Sequence, residues 1–252
     1  MYKFDFSAMT PLALSNVWYW LLLGAVISYF LGNFNFAILI AKLKHHDIRK
    51  EGSGNPGSMN ISRQLGLKYG ILNFVCDGLK GGIPVVVGFL VFRNYYFAGT
   101  SFVAISDFAR YLFAVSAVMG HIFPVTMKFK GGKGIASTIG LFWCSISCEL
   151  WWYAFIGLAI WFVLFFYMYF TEWGSMGSLL GVSIYTIWQS VIFALRYENI
   201  IINPYVIIMF LFLLALNLLT WLKHFENLKK LMAGEEHHTS IKKMLHKKKK
   251  KS

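Results

Sequence analysis

The chain has 252 residues, 57% of them hydrophobic and 14% charged, with a mean hydropathy of +0.56. A soluble domain carries about 25% charged residues, so a soluble single domain and a disordered chain are both set aside. The formal net charge is nevertheless +13, which by itself is compatible with nucleic acid, anionic lipid, an anionic substrate or a membrane-orientation signal.

The first residues lack a basic stretch followed by a small-residue cleavage site, so no removable signal peptide is expected. A bilayer core of roughly 30 Å takes about 20 apolar residues per helix. Seven segments qualify, at about 17–41, 68–92, 109–127, 134–150, 151–170, 174–195 and 204–222. The fourth and fifth abut, so six is the alternative count. The second contains Asp77 and Lys80, the fourth follows a Gly-Lys-Gly, and the seventh opens at Pro204, a favourable first-turn residue. Trp18, Trp20, Trp151, Trp152, Trp173 and Trp221 fall near helix ends, as an aromatic belt would place them. Cys76, Cys144 and Cys148 form no CxxC pair; Cys144 and Cys148, four apart in an apolar run, share a helix face and read as small buried residues.

With seven spans, alternate loops share a side. Nineteen lysines and arginines fall on one side and four on the other, which predicts an outside N-terminus and a cytoplasmic C-terminus. The predicted fold class is therefore an all-α integral membrane protein of about seven transmembrane helices. Residues 1–236 form a single transmembrane domain, and 237–252 read as a basic, disordered cytoplasmic tail. That tail suits orientation, and its lysines also suit anionic headgroups at about 1 kcal/mol each. Residues 42–67 are expected as a polar loop, and no internal repeat is present.

Three polar, Gly-rich clusters fall on the cytoplasmic side. The first is Ser53-Gly54-Asn55-Pro56-Gly57-Ser58-Met59-Asn60, closing with Arg63. The second runs from Asp77 through Lys80 to Pro84. The third is Gly120-His121-Ile122-Phe123-Pro124, followed by Lys128-Phe129-Lys130-Gly131-Gly132-Lys133-Gly134. Glycines let successive backbone N–H groups turn toward one anion. Gly131, Gly132 and Gly134 also precede a helix N-terminus, where a phosphate is favoured. Arg63 offers a two-pronged donor for phosphate, and Ser53, Asn55 and Asn60 suit oxygen atoms. Taken alone, a Gly-Lys-Gly is more often a turn with a snorkelling lysine. Asp77 and Lys80 lie three apart and can pair on one face. Intramembrane ionisable residues are functional candidates, with a structural ion pair as the alternative. His121 alone reads as a packed, hydrogen-bonded residue.

Other signatures are absent. The spacing GxxxxGK[ST] fails, so there is no P-loop. There is no HExxH and no Cys/His ligand cluster, so no metal is expected. No Gly-x-Ser-x-Gly elbow occurs, and no His is followed five residues later by Asp, as in coenzyme A-dependent glycerolipid acyltransferases.

Together the clusters closely resemble the bacterial acyl-phosphate-dependent glycerol-3-phosphate acyltransferases, over about residues 20–236. The family's GSGNPGATNxxR is matched from Gly52 to Arg63, with Ser58 and Met59 in place of Ala and Thr. Its DxxKGxxPV is matched from Asp77 to Val85, and its GHxFPVxxxFKGGKGxAT from Gly120 to Ser137. A C-terminal element similar to RHxxNIxRLxxGxE runs from Lys223 to Glu236. This chain departs at Lys223 and Lys230, which replace arginine. Glu172 stands for a basic residue in a segment similar to TRYVSLxS, whose Ser175 and Ser178 remain. Gly32-Asn33-Phe34-Asn35 stands where the family has GSIP, and Asn33 and Asn35 are expected to hydrogen-bond to a neighbouring helix.

The resemblance implies a seven-helix plasma-membrane enzyme with a cytoplasmic active site. It implies transfer of a fatty acyl group from acyl phosphate to the 1-hydroxyl of glycerol 3-phosphate, giving lysophosphatidic acid and phosphate in the first acylation of phospholipid synthesis. The expected catalytic residues are Ser53, Lys133, His224 and Asn227. The expected substrate-binding residues are Asn55, Gly57, Asn60, Arg63, Lys80, Gly131, Gly132, Gly134, Ser175 and Ser178. No cofactor is expected. The partners are glycerol 3-phosphate, acyl phosphate and membrane lipids, with no nucleic acid; the oligomeric state is not read from the sequence, which is compatible with a monomer. A membrane transporter for phosphorylated metabolites is the alternative, because broken, Gly-rich helices beside cations serve transporters too. The missing repeat halves and the one-sided motifs count against it.

Overall fold

The computed structural model of the protein describes residues 5–100 and 102–235, so the lysine tail at 237–252 lies outside the described residues. The described chain is predominantly helical. In order it forms α1 Leu14–Asn33, α2 Phe36–Leu43, α3 Ser58–Leu65, α4 Leu67–Phe92, α5 Ile105–Ile122, α6 Ile135–Glu149, α7 Tyr153–Thr171, α8 Gly174–Arg196, α9 Pro204–Lys223 and α10 Phe225–Met232. Two three-residue strands, β1 Thr10–Leu12 and β2 Tyr95–Phe97, pair in parallel with Thr10 opposite Tyr95.

Among the described residues, six stretches are long and apolar enough to cross a bilayer: Leu14–Leu43, α4, Ile105–Met127, α7, α8 and α9. The 15-residue α6 is apolar but shorter. It is separated from α7 by an extended Leu150 and two further residues, so the two abutting segments are distinct helices. The fold is that of an all-α integral membrane protein. α7 shows this most plainly: its 19 residues carry no charge, and only Gly157 and Leu164 are buried. Such a helix is stable only where lipid covers its open face.

The bundle centres on α4 and α5. α4 packs on α5 and α6, α1 packs on α5, and α9 bridges α5 and α8. Two contacts are backbone-close. A Cβ on Gly32 of α1 would fall 1.9 Å from the Ala117 carbonyl oxygen, and one on Gly140 of α6 would fall 2.2 Å from that of Gly78. Between membrane helices, where burial gives little drive, such small-residue contacts supply van der Waals attraction.

The structure departs from the sequence expectation in three places near the motifs. The first membrane segment is broken: α1 ends at Asn33, Phe34 is extended, and Asn35 caps α2 by accepting from the Ile38 amide at 3.0 Å. Asn35 thus serves its own helix rather than a neighbour, whereas Asn33 does reach another segment, accepting from Thr126 Oγ1 at 2.7 Å. The polar stretch 42–67 contains α3, whose Asn60, Ile61 and Ser62 are buried. α10 adds a second short amphipathic helix at the same end.

At the opposite end lies a buried group of two acids and two arginines. Arg110 bonds Asp107 at 2.7 Å and also Glu149, and Arg196 bonds Asp107 at 2.5 Å and also Glu149. Gln189 donates to Glu149 at 3.1 Å and the Tyr197 hydroxyl to Asp107 at 2.8 Å. All four charged side chains are at most 5% exposed. Full mutual pairing is what permits them there.

Candidate functional site

The Gly-rich segments meet at the end of the bundle formed by the C-terminus of α5 and the N-termini of α3, α6 and α8. The turn before α3 is built around Asn60. Its amide donates to the carbonyls of Ile48 at 3.2 Å and Glu51 at 3.0 Å, and its oxygen accepts from the Ser53 amide at 3.2 Å. Gly52 and Gly54 take positive φ in this turn, which glycine adopts at little cost. Ser53 is left exposed, and its hydroxyl accepts from the Asn55 amide at 3.4 Å. Asn60 was expected to contact substrate; instead both ends of its buried amide are engaged with backbone, so it shapes the loop.

The segment before α6 docks on the end of α5. The Gly131 amide donates to the Ile122 carbonyl at 3.1 Å and that of Gly132 to the His121 carbonyl at 3.2 Å. These two N–H groups were expected to face a phosphate; they instead cap the last carbonyls of α5. The glycines are needed for contact: a Cβ on Gly131 would fall 2.0 Å from the His121 carbonyl oxygen, and one on Gly132 2.4 Å from His121 Nε2. Gly134, at φ +83, turns the chain into α6. Donors for an anion are thereby left to Lys133 and to the first turn of α6, whose N–H groups have no intrahelical partner. Arg49 clamps the two loops together, donating to the Lys130 carbonyl at 2.6 Å.

Lys133 reaches across the bundle. Its ammonium donates to Asn227 Oδ1 on α10, and Asn227 Nδ2 donates to Ser175 Oγ on α8 at 2.9 Å. Beside them, His224 is buried, with Nδ1 2.9 Å from the Thr220 carbonyl. A carbonyl only accepts, so Nδ1 carries the proton and Nε2 is left as an acceptor. Burial, with the Lys133 ammonium adding to it, pushes the imidazole down to about 4, so the ring is neutral at neutral pH. The sharp turn between α9 and α10 sets this geometry: Lys223 lies 4.4 Å from the Phe123 ring, tying the C-terminal element to the end of α5.

Beneath the loops runs a buried polar chain. Lys80 Nζ lies 2.8 Å from Asp77 Oδ1 and donates to the Phe34 carbonyl at 2.6 Å. Asp77 accepts from Asn73 Nδ2 at 2.9 Å, and the same amide lies 2.9 Å from Ser58 Oγ, the first residue of α3. His121 Nδ1 lies 3.9 Å from Asp77 and 3.5 Å from Ser137 Oγ. Lys80, expected to contact acyl phosphate, is 2% exposed and engaged within the protein.

The expected residues therefore fall into groups. Lys133, Asn227, Ser175 and His224 come together. Ser53, Asn55, Gly57 and Arg63 belong to the neighbouring turn and α3, with Pro56 within reach of Gly132. Asn60, Gly131 and Gly132 shape loops, and Ser178 bonds its own helix at the Gly174 carbonyl, 2.8 Å away. Arg49, Asn73 and Thr220 were not foreseen, and Ser58 was named only as part of the first cluster. Asn73, a buried polar residue four before Asp77 on one helix face, carried a readable signal; Arg49 and Thr220 carried none. Among the described residues no group of three or more His, Cys, Asp or Glu is placed to hold a metal ion.

Comparison with known proteins gives one consistent set of relatives. The profile of the glycerol-3-phosphate acyltransferase family matches residues 22–234. The glycerol-3-phosphate acyltransferase of Pseudothermotoga lettingae is 33% identical over 222 residues, covering 88% of this chain and 96% of its own. That of Thermosipho melanesiensis is 36% identical, covering 85% and 90%. Among solved structures, PlsY (YgiH), an integral membrane glycerol 3-phosphate acyltransferase, matches in its glycerol 3-phosphate form with a TM-score of 0.68 at 27% identity. The match covers 86% of this chain and 94% of that one. Its lysophosphatidic acid form matches with a TM-score of 0.66.

Proposed function

The chain belongs to the glycerol-3-phosphate acyltransferase family, and from that premise we propose how its own residues move a fatty acyl group from acyl phosphate to the 1-hydroxyl of glycerol 3-phosphate. Acyl phosphate is a mixed anhydride with a good leaving group, so no covalent enzyme nucleophile is needed. The demand on the protein is to hold two anions together and to aim the hydroxyl at the acyl carbon. The observation that carries the reading is the bonded chain Lys133–Asn227–Ser175 beside neutral His224, which unites three segments far apart in sequence.

Lys133, Arg63 and Ser53 hold the phosphate of glycerol 3-phosphate, with Asn227 keeping the Lys133 ammonium in place. Asn55 and the first turn of α6 receive the acyl phosphate, the latter through its N–H groups and helix dipole. The glycerol 1-oxygen attacks the acyl carbon, the bond from that carbon to the phosphate oxygen breaks, and 1-acyl-glycerol 3-phosphate and inorganic phosphate leave. His224 accepts a hydrogen bond from the hydroxyl and orients it. A ring held at about 4 keeps a proton poorly at neutral pH, whereas a phosphate titrates near pH 6. The hydroxyl proton therefore passes to a substrate phosphate oxygen. The site faces the cytoplasm, α6 counts as the seventh crossing, and the acyl chains lie among the apolar helix faces toward the lipid.

Full-length protein in nanodiscs, given acyl phosphate and glycerol 3-phosphate, is expected to release phosphate and form lysophosphatidate. No sealed compartment is present, so product formation separates an enzyme from a transporter. Lys133→Ala is expected to lower turnover by at least about a thousandfold while the protein stays folded; near wild-type turnover in a folded variant would remove Lys133 from the site.

A further inference from the structure

Asp77, Lys80 and His121 have no role in the transfer as described, yet each is at most 4% exposed in the floor of the site. Two of the three donors of the Lys80 ammonium already face Asp77 and the Phe34 carbonyl, and the Phe36 ring lies 5.9 Å away. A phosphate reaching Lys80 would have to displace these partners and approach the Asp77 carboxylate, which repels it.

Resting on the acyl-transfer reading, we propose that Asp77, Lys80 and His121 are positioning residues: they touch neither substrate and set the seat of both glycine loops. The geometry runs in three directions from one carboxylate. Through Lys80, Asp77 ties α4 to the carbonyl where α1 breaks. Through Asn73 it reaches Ser58, where the first loop enters α3. On its third side it faces His121 at 3.9 Å. The carbonyl of His121 receives the Gly132 amide, and its ring fills the space a Gly132 side chain would take. Gly132 immediately precedes Lys133. A shift of the ring or of α4 therefore moves the Lys133 backbone, and a displacement of about 1 Å costs roughly a hundredfold in rate.

The test uses full-length protein in nanodiscs, with phosphate release read at varied concentrations of each substrate. Wild-type turnover in the same assay checks the acyl-transfer reading by itself, before any variant is compared. Lys80→Met and Asp77→Asn are each expected to lower kcat about a hundredfold while KM for both substrates stays within about threefold. The double variant Asp77→Asn/Lys80→Met leaves no uncompensated buried charge and is expected to recover about tenfold or more over either single variant. A rise of about tenfold or more in KM for either substrate in Lys80→Met, with kcat retained, overturns the proposal; so does a double variant no better than Lys80→Met. His121→Gln leaves the ion pair whole and decides the matter if a single-charge variant fails to fold. It is expected to lower kcat about tenfold or more with KM unchanged, and a wild-type kcat overturns the proposal.

Discussion

His224 separates two ways of handling the hydroxyl proton. Its ring donates from Nδ1 to the Thr220 carbonyl, and burial beside Lys133 holds it down to about 4, below the ordinary value near 6.5. A histidine depressed in this way stays neutral from neutral pH down to about pH 5, so it cannot produce an acid limb between pH 5 and 7. A substrate phosphate, titrating near pH 6, does. The kcat/KM profile is therefore expected to fall below about pH 6 in the wild type. His224→Gln, which cannot titrate, is expected to lower the plateau and leave that midpoint in place. Loss of the acid limb in His224→Gln would return the proton to the imidazole. That Lys133, His224 and Asn227 come together was legible, because motif spacing marks all three. The burial of Lys80 was not legible, because its fate depends on a carbonyl 46 residues away that is exposed only when α1 breaks. The engagement of the Gly131 and Gly132 amides was hidden for the same reason: a glycine-rich string fits an anion nest and a helix-end cap equally well.

The contact of α4 with α6 fixes the floor of the site. Gly78 and Gly81 on α4 face Gly140 and Ser137 on α6 so closely that a Cβ at Gly81 would fall 2.2 Å from the Ser137 carbonyl oxygen. Ser137 in turn lies beside His121. Gly140→Val is expected to push α6 off α4, costing about 1–3 kcal/mol as overpacking and lowering both the melting temperature in detergent and kcat. An unchanged melting temperature would mean that the helices approach less closely than 2.2 Å implies. The long spans were readable from hydropathy to within a few residues, since about 20 apolar residues have few other uses. The break at Phe34 was not, because Asn35 looks like a tolerated polar residue until its side chain is seen capping Ile38. Nor were α3 and α10, eight residues each, whose polar composition matches that of a loop; α3 is held by docking of its buried Asn60, Ile61 and Ser62, while α10 buries no residue and is tied to the bundle through Asn227.

Charge is the signal on which the proposed orientation rests, and the buried group at the end opposite the site leaves the exposed basic residues more one-sided than the bare count. Arg110 and Arg196 count as basic residues of the outer side by sequence, yet each is locked between Asp107 and Glu149 inside the bundle. Both sit within helices, Arg110 in α5 and Arg196 at the end of α8, rather than in the loops whose Lys and Arg the orientation rule counts. Among the exposed basic residues described, Lys42, Lys44, Arg49, Lys50, Lys68, Lys128, Lys130, Lys229 and Lys230 all lie at the motif end, against Arg93 at the other. The positive-inside rule therefore predicts a cytoplasmic site and loop 125–134, with the turn after α4 outside. Cysteines at two exposed positions test this: Lys128→Cys beside the site and Asn94→Cys at the far turn. In intact cells a membrane-impermeant maleimide is expected to label Asn94→Cys and to leave Lys128→Cys untouched until the membrane is opened. The native Cys76, Cys144 and Cys148 lie within helices and are partly buried, and the unsubstituted protein supplies their background. Labelling of Lys128→Cys from outside would invert the topology and remove the substrate phosphates from reach of Lys133.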